Sequence, residues 1–170
     1  MRDPTILNLM VNTIKPTDFG FIKQFINQDK EAAKVFLAVC YVHSCGVPCS
    51  FDMLYSFLGD DLYSWKEMYA IIERVGGLIK TLTDDNISFY HDQDYFTCRS
   101  RVLAEKIISS IPKGDPFFRE VLEDFTRYVP QYKICQYDKF RRSAYDAQIA
   151  QIAYDDDLVA GEEFYNLCSG

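Results

Sequence analysis

The sequence predicts a mainly α-helical protein with one small β-hairpin. Apolar residues recur at three- and four-residue intervals along most of the chain, which is the period of an amphipathic helix. Capping or helix-breaking residues bound most of these periodic segments. Only residues 78–96 combine two β-prone runs with a turn-forming cluster between them. With 48 % hydrophobic and 15 % aromatic residues among 170, the chain has ample material for a packed core.

The first helices lie in the N-terminal third. Residues 1–28 predict a lead-in segment with one helix around Phe19–Ile26, because proline and glycine interrupt its apolar pieces. From Asp29 the pattern predicts a helix of about four turns, which Gly46 and Pro48 end. Its expected apolar stripe consists of Ala32, Val35, Phe36, Val39 and Val42.

Two shorter helices follow. Ser50 is expected to cap a helix that ends at Gly59. Ser64 and Glu67 have the spacing of a capping box, in which the hydroxyl accepts a free amide and the carboxylate reaches back. The glycine pair 76–77 ends this helix, because glycine adopts a left-handed conformation at little cost. The expected buried face of this helix consists of Trp65, Met68, Tyr69, Ile72 and Val75.

A β-hairpin is predicted over residues 78–96, where two β-prone runs flank Asp84-Asp85-Asn86. Three helices followed by a β-ribbon is the element order of a winged helix-turn-helix, in which the ribbon is the wing. We therefore expect residues 29–111 to form a winged-helix domain.

Residues 112–170 predict a helical extension behind that domain. Ser100 caps the helix that closes the winged-helix unit, and Asp115 with Pro116 opens the next helix. A further helix is expected from about Asp138 to Ala153, and the acidic C-terminal segment also has a helical pattern. The expected buried face of the helix after Pro116 consists of Phe118, Val121, Leu122, Phe125 and Val129.

The charge of the chain limits its partners. A formal net charge of −7 argues against broad binding to nucleic acid or to an anionic membrane, since both need a basic surface. The longest strongly apolar run, residues 35–42, is far shorter than the roughly 20 residues that cross a bilayer. The start has no apolar signal segment, so we expect a cytoplasmic protein whose cysteines are reduced.

Cys40, His43, Cys45 and Cys49 form the most tempting metal cluster, because zinc takes four ligands of these types. Their spacing does not match a CxxC knuckle, and a cysteine on an apolar helix behaves as a small hydrophobic residue. No metal site is therefore predicted.

Catalytic pairs could be drawn between His43 and Cys45, or between His91 and the nearby Asp92 and Asp94. Neither pair comes with an oxyanion site or a third orienting group. None of the 8 glycines precedes a lysine, so the chain has no Walker A motif. We expect no catalysis and no cofactor in this chain.

One segment, residues 131–142, could contact nucleic acid, because cations interleaved with aromatic rings can bind single strands. The interpretation that we favour is that its cations pair with the acidic tail after residue 143. The candidate recognition helix, residues 65–75, has balanced charges, which also fits nucleic acid poorly. The cations and aromatic residues of the segment are Tyr132, Lys133, Tyr137, Lys139, Phe140, Arg141 and Arg142.

Arg99 and Arg101 flank the expected cap residue Ser100 at a helix N-terminus. Two cations there oppose the helix dipole, at a cost of roughly a few tenths of a kcal/mol each. The arrangement becomes favourable when an anion arrives, because amides and guanidinium groups together bind phosphate or carboxylate. A salt bridge to Glu105 or to a carboxylate on a neighbouring helix is the alternative, and both remain open.

The segments "EAAKVFLAVCYVHSCGVPCSFDMLYSFLG", the hairpin, "FTCRSRVLAEKII" and "DLVAGEEFYNL" together resemble the region just after the nucleotide-binding core of STAND-type P-loop NTPases. These are large signalling ATPases, many of them in bacterial defence. The resemblance covers roughly residues 30–111, with a fainter match at 157–167. It implies a winged helix, a helical stretch and, in many relatives, tetratricopeptide-type repeats.

Relatives often read R-H-R-x-x-A-E where this chain has residues 99–105. In STAND proteins a winged-helix histidine can contact the phosphates of the bound nucleotide, and Ser100 stands at that position here. The resemblance implies that Arg99 or Arg101 could substitute. It also implies a non-catalytic regulatory module that packs on an NTPase core, a repeat domain or other protein partners. In that case ATP or ADP would be bound only when such a core is present. The resemblance is also compatible with an oligomer.

Overall fold

The structure, a computed structural model, describes residues 18–59, 64–82, 93–155 and 158–169. They form a mainly helical fold with a small antiparallel sheet. The helices are α1 (Phe19–Gln28), α2 (Lys30–Ser44), α3 (Phe51–Leu58), α4 (Trp65–Val75), α5 (Arg101–Ser110), α6 (Pro116–Tyr128), α7 (Tyr137–Ala144), α8 (Ala147–Tyr154) and α9 (Leu158–Ser169). Short 3-10 turns lie at Gly76–Leu78 and Gln131–Lys133, and the strands are β1 (Cys49–Ser50), β2 (Ile79–Leu82) and β3 (Tyr95–Cys98).

Helix α2 lies at the centre of the fold. The sequence predicted one apolar stripe, but every residue from Ala32 to Val42 is buried. The five residues of that stripe are buried as predicted, and burial extends beyond them because α1, α4, α5, α6 and the sheet pack around α2 on all sides. Helix α1 belongs to the same core, where Phe25 lies 5.8 Å from Phe36, ring centre to ring centre. Between Ala32 and Val42, helix α2 therefore has no solvent-exposed face.

The sheet contains three strands in the order β1-β3-β2, and both pairs are antiparallel. The predicted antiparallel strand pair is present, with Ile79 opposite Cys98 and Leu82 opposite Tyr95, and its first strand is confirmed. The second strand begins at Tyr95 and extends to Cys98, two residues past the predicted range, and most of the predicted second run lies outside the described residues. The predicted turn of the hairpin, Asp84-Asp85-Asn86, also lies outside the described residues. The sequence did not predict β1, because a strand of two residues has no period to detect.

The predicted helix starts are confirmed by their caps. Each cap oxygen accepts a hydrogen bond from the amide three residues later: 3.1 Å for Ser50, 3.4 Å for Ser64, 3.0 Å for Ser100 and 2.9 Å for Asp115. Gly76 ends α4 with φ at 62°, a left-handed conformation that favours glycine. These signals are local, which is why the sequence alone was sufficient to place them.

The predicted buried face of α4 was partly wrong. The residues that α4 buries are Met68, Ile71 and Val75. Trp65 and Tyr69, predicted to be buried, are 57 % and 38 % exposed. The reason is that Tyr69 stacks on Phe51 at the surface, with ring centres 4.7 Å apart. The rings of Trp65 and Tyr69 therefore lie at the edge of the core and not inside it.

The helix predicted from Asp138 to Ala153 is in fact two helices, α7 and α8. Asp146 interrupts it, because its carboxylate accepts the amide of Ile149 at 3.0 Å and starts α8. The C-terminal helices share the core of α2 through Tyr41, whose ring lies edge-on against Phe118, 6.3 Å between ring centres. The predicted buried residues of α6 are all buried.

A buried cation also joins α2 to α6. Lys34 is 9 % exposed, and its ammonium group forms an ion pair with Asp124 and lies 5.5 Å from the centre of the Phe57 ring. Glu120 adds a weaker contact at 3.9 Å. The charge of Lys34 is thus compensated inside the fold, as a buried charge requires. None of the helices in the described part of the chain is long and apolar enough to span a membrane.

Candidate functional site

The candidate site lies where β3 leads into α5. Strand β3 ends at Cys98, and the Ser100 hydroxyl accepts the Leu103 amide to start α5. The pKa of Cys98 is lowered to about 7, chiefly by a hydrogen bond with the Cys40 thiol and also by hydrogen bonds with the backbone of Arg99 and Ser100, while burial acts in the opposite direction. The side chains of Cys98 and Ser100 therefore hold the backbone between β3 and α5, and this fixes the backbone positions of Arg99 and Arg101.

The two arginines make different contacts. The Arg99 Nε donates a hydrogen bond of 2.8 Å to the carbonyl oxygen of Gly77. The Arg101 Nε pairs with Glu105 at 3.1 Å, and both of these side chains are 50 % exposed. An exposed pair of this spacing contributes only about 0.2–0.5 kcal/mol. The salt bridge that the sequence offered as an alternative is thus present for Arg101, whereas Arg99 has no acidic partner among the described residues.

A pocket of about 440 Å³ opens beside this helix N-terminus. We call it the basic pocket. Its wall combines residues of α2, the α2–β1 loop, the two hairpin strands and the start of α5. The polar residues of the wall are His43, Lys80, Thr97, Arg99, Ser100 and Arg101.

Gly46 allows cations to approach the basic pocket closely. A β-carbon built on Gly46 would lie 3.1 Å from an Arg101 guanidinium nitrogen and 3.0 Å from the Lys139 side chain. The φ of Gly46, +88°, is also one that other residues rarely adopt. Lys139, which the sequence assigned to a possible nucleic-acid segment, therefore lies at the rim of the basic pocket.

Two polar atoms in the pocket wall lack partners. Thr97 is 5 % exposed, and neither its Oγ1 nor the Nδ1 of His43 has a hydrogen-bond partner among the described residues. Burial lowers the pKa of His43, the charges of Lys80 and Arg101 lower it further, and Glu105 raises it. The local field therefore disfavours another positive charge.

Sequence reasoning missed two members of this site and misjudged a third. Lys80 and Thr97 were not considered as ligands, and His43 was weighed only for metal binding and catalysis. The hairpin register could have found two of them, because Lys80 pairs directly with Thr97 in the ladder. That pairing places both residues beside Arg99, at the end of the same ribbon.

The aromatic residues of segment 131–142 do not form one surface. Tyr132 is 86 % exposed, but Phe140 is completely buried and Tyr137 packs against the core. A ring inside the core cannot stack on a nucleobase, since stacking needs an open face. The stacking surface that the segment suggested is therefore absent from the described structure.

The cations of this segment also diverge. Lys133 contacts Asp52 at 3.1 Å and Ser56 at 2.8 Å, and Arg141 contacts Asp138 at 3.6 Å. For these two described cations, pairing with the acidic tail was wrong, because both acidic partners precede residue 143. The side chain of Arg142 is exposed. Of this segment, Lys139 lies beside Gly46, at the rim of the basic pocket.

The three cysteines of the candidate metal cluster are residues of the hydrophobic core. Cys40, Cys45 and Cys49 are buried free thiols. Burial raises the pKa of Cys45 to about 12 and raises the pKa values of Cys40 and Cys49 as well, so these thiols stay protonated at neutral pH. Across the described ranges, no group of three or more His, Cys, Asp or Glu residues is placed to hold a metal.

The second catalytic pair lies partly outside the described residues, which do not include His91 and Asp92. The third member, Asp94, accepts a hydrogen bond of 2.7 Å from the Tyr69 hydroxyl. Asp94 thus fixes the ring of Tyr69 at the surface of α4.

No protein-family model, curated protein or solved structure matches this chain. Its function is therefore inferred from its own residues and their arrangement.

Proposed function

We propose that the chain is a non-catalytic regulatory and protein-interaction module. It consists of a winged helix, residues 29–111, and a helical extension, residues 112–170. It resembles the module that follows the nucleotide-binding core of STAND signalling ATPases, including those of bacterial defence. The observation that carries the proposal is the order α2, β1, α3, α4, β2, β3 with a β1-β3-β2 sheet, which is the arrangement expected of a winged helix.

The surface of α4 supports a protein partner over nucleic acid. In a winged helix this position holds the recognition helix, and here it exposes Trp65 and Tyr69. Of its two cations, Arg74 is already bound by Asp29 at 2.8 Å and by Glu31 at 2.7 Å, and the ammonium group of Lys66 lies over the Trp65 ring, 5.8 Å from its centre. Protein interfaces are enriched in tyrosine and tryptophan, whereas DNA-reading faces gain most of their affinity from free cations.

The start of α5 supports a regulatory role. Arg99 is held by a backbone carbonyl and Arg101 by an exposed salt bridge, and an incoming anion can replace either contact. Two arginines that meet an anion in one conformational state and lose it in another bias the equilibrium between those states. In this proposal, a neighbouring NTPase core or protein partner supplies the anion.

The test uses the full gene product with Arg99→Gln and Arg101→Gln combined. Nucleotide retained on purification and activation of the assembled protein are measured. The double variant is expected to change both, because it removes the two cations that sense the anion. The matched control is Lys106→Gln, which removes an exposed charge on the same helix. If the double variant and the control both behave as wild type, the regulatory role is wrong.

A further inference from the structure

We propose that the basic pocket binds a dianionic phosphoryl group with the residues of this chain alone. The ligands would be His43, Lys80 and Thr97 together with Arg99 and Arg101. The proposal deepens the proposed function, on which it rests for the role of the two arginines. It adds ligands from α2, β2 and β3, and it needs no contribution from a nucleotide-binding core.

The first support is the pair of unsatisfied polar atoms. Thr97 is 95 % buried, its hydroxyl oxygen has no partner in the described part of the chain, and the residue lines the pocket. A buried polar atom without a partner is unfavourable, so native structures usually satisfy it with a protein group, water or ligand. On the α2 side of the pocket, the Nδ1 of His43 also has no hydrogen-bond partner in the described part of the chain. Each of these groups can donate one hydrogen bond to an oxyanion.

The second support is the charge of the wall. Lys80, Arg99 and Arg101 all line the pocket, and none of the described lining residues carries a carboxylate. Lys139 adds a cation at the rim, beside Gly46. Glu105, which pairs with Arg101, does not line the pocket, and this pair is exposed. A pocket with this excess of cations is favourable only once an anion enters.

The third support is the N-terminus of α5, a helix of 10 residues. The Ser100 side chain already accepts the amide of Leu103. The amides of Arg101 and Val102 have no acceptor within the helix, since they belong to its first turn. Amides of this kind together with guanidinium groups bind phosphate oxygens.

These donors fit a phosphoryl group better than a carboxylate. Three lining cations, a hydroxyl and an imidazole exceed what a singly charged carboxylate with two oxygens can satisfy. A phosphate monoester carries close to two charges and three terminal oxygens at neutral pH. The pocket volume of about 440 Å³ also leaves room for the group to which the phosphoryl is attached. That group can belong to a nucleotide or to a phosphorylated side chain, or the ligand can be free phosphate.

The experiment titrates the purified 170-residue chain at constant ionic strength with inorganic phosphate, O-phosphoserine, ADP or acetate. Affinities come from calorimetry. Phosphate is expected to bind and acetate is not. If O-phosphoserine or ADP binds more tightly than phosphate, the source of the phosphoryl group is identified. If phosphate does not bind, or acetate binds equally well, the proposal is wrong.

Three variants locate the ligand. Lys80→Gln and Thr97→Val are each expected to weaken phosphate binding roughly tenfold, because each removes a hydrogen bond to a charged group. Lys113→Gln removes an exposed lysine beyond the other end of α5 and is expected to bind as wild type. Because Lys80 is exposed, its variant remains informative even if Thr97→Val fails to fold. Equal affinity of Lys80→Gln and wild type would overturn the proposal.

A second measurement separates this inference from the proposed function. Phosphate in the pocket should raise the pKa of His43, followed by the imidazole proton signals and assigned with His43→Gln. An unchanged pKa contradicts the pocket, whatever the full gene product does. The opposite result is also possible: the isolated chain binds phosphate, but the Arg99→Gln/Arg101→Gln gene product behaves as wild type. That result would support the phosphoryl site and reject the regulatory role.

Discussion

The hydroxyl group of Tyr41, on the central helix α2, donates a hydrogen bond of 2.7 Å to the carbonyl oxygen of Ala144, the last residue of α7. The bond is buried and joins residues 103 positions apart. The Tyr41 ring also lies edge-on against Phe125 and Phe140, 5.6 and 5.7 Å between ring centres. Tyr41 thereby helps to hold the helical extension on the central helix, together with the Lys34–Asp124 pair.

Tyr41→Phe is expected to lower the free energy of unfolding by about 1–3 kcal/mol, because it leaves a buried carbonyl oxygen without a donor while the ring is kept. Urea denaturation followed by circular dichroism measures the change. The control is Tyr69→Phe, which removes a hydroxyl that bonds Asp94 at the surface. A loss no larger than that of the control would show that the Tyr41 bond contributes little.

The buried pair of Lys34 and Asp124 leads to a second prediction. Asp124→Asn is expected to cost about 3 kcal/mol, because an ammonium group would stay buried with its closest anionic partner removed. The double variant Lys34→Met/Asp124→Leu is expected to regain most of that stability, since both charges are removed together.

Arg141→Gln is the control for this pair, because it breaks an exposed pair with Asp138 and should change stability by no more than about 0.5 kcal/mol. Thermal and urea unfolding are compared for all variants. A double variant that is less stable than Asp124→Asn would contradict the explanation by buried charge.

His43 should make stability depend on pH on the acid side. Its folded-state pKa lies below the ordinary value of 6.5, mainly because of burial, so the unfolded chain takes up the proton first. Stability is therefore complete above about pH 6.5 and falls as the pH drops towards the folded-state pKa. His43→Gln removes this contribution, so its stability should change less than that of wild type between pH 6.5 and 5.5. Parallel curves for the two proteins would contradict the shift.

Nucleic-acid binding through segment 131–142 gives a fourth prediction. The buried ring of Phe140 and the paired charge of Lys133 leave a poor stacking surface. Fluorescence anisotropy with single- and double-stranded DNA at two salt concentrations should show only weak binding. Tight binding that falls steeply with salt would instead favour a nucleic-acid-binding protein. Lys139→Gln would then distinguish a contribution of the basic pocket from that of the rest of the segment.

The sequence predicted the features that are set by neighbouring residues. The caps at Ser50, Ser100 and Asp115 were found because each side chain acts on an amide three residues away. The pairing of β2 with a later strand was predicted for a similar reason, since β-prone residues on both sides of a turn-forming cluster are visible within a short stretch of sequence.

Features that depend on distant parts of the chain were missed. The burial of α2 on every side and the exposure of Trp65 depend on which helices pack nearby, and no local pattern records that. Arg99 and Arg101 were found from their position at a helix start, but their pocket is completed by Lys80 and Thr97. Those two meet through strand pairing, so the site could be recognised only in part.

The all-round burial of α2 has a consequence for where the protein can be divided. Cutting after residue 111 would remove the partners of Tyr41 and Lys34 and uncover one flank of the central helix. The shortened chain would expose aromatic rings to water and tend to aggregate. The same helix carries His43, so the cut would also disturb one wall of the basic pocket.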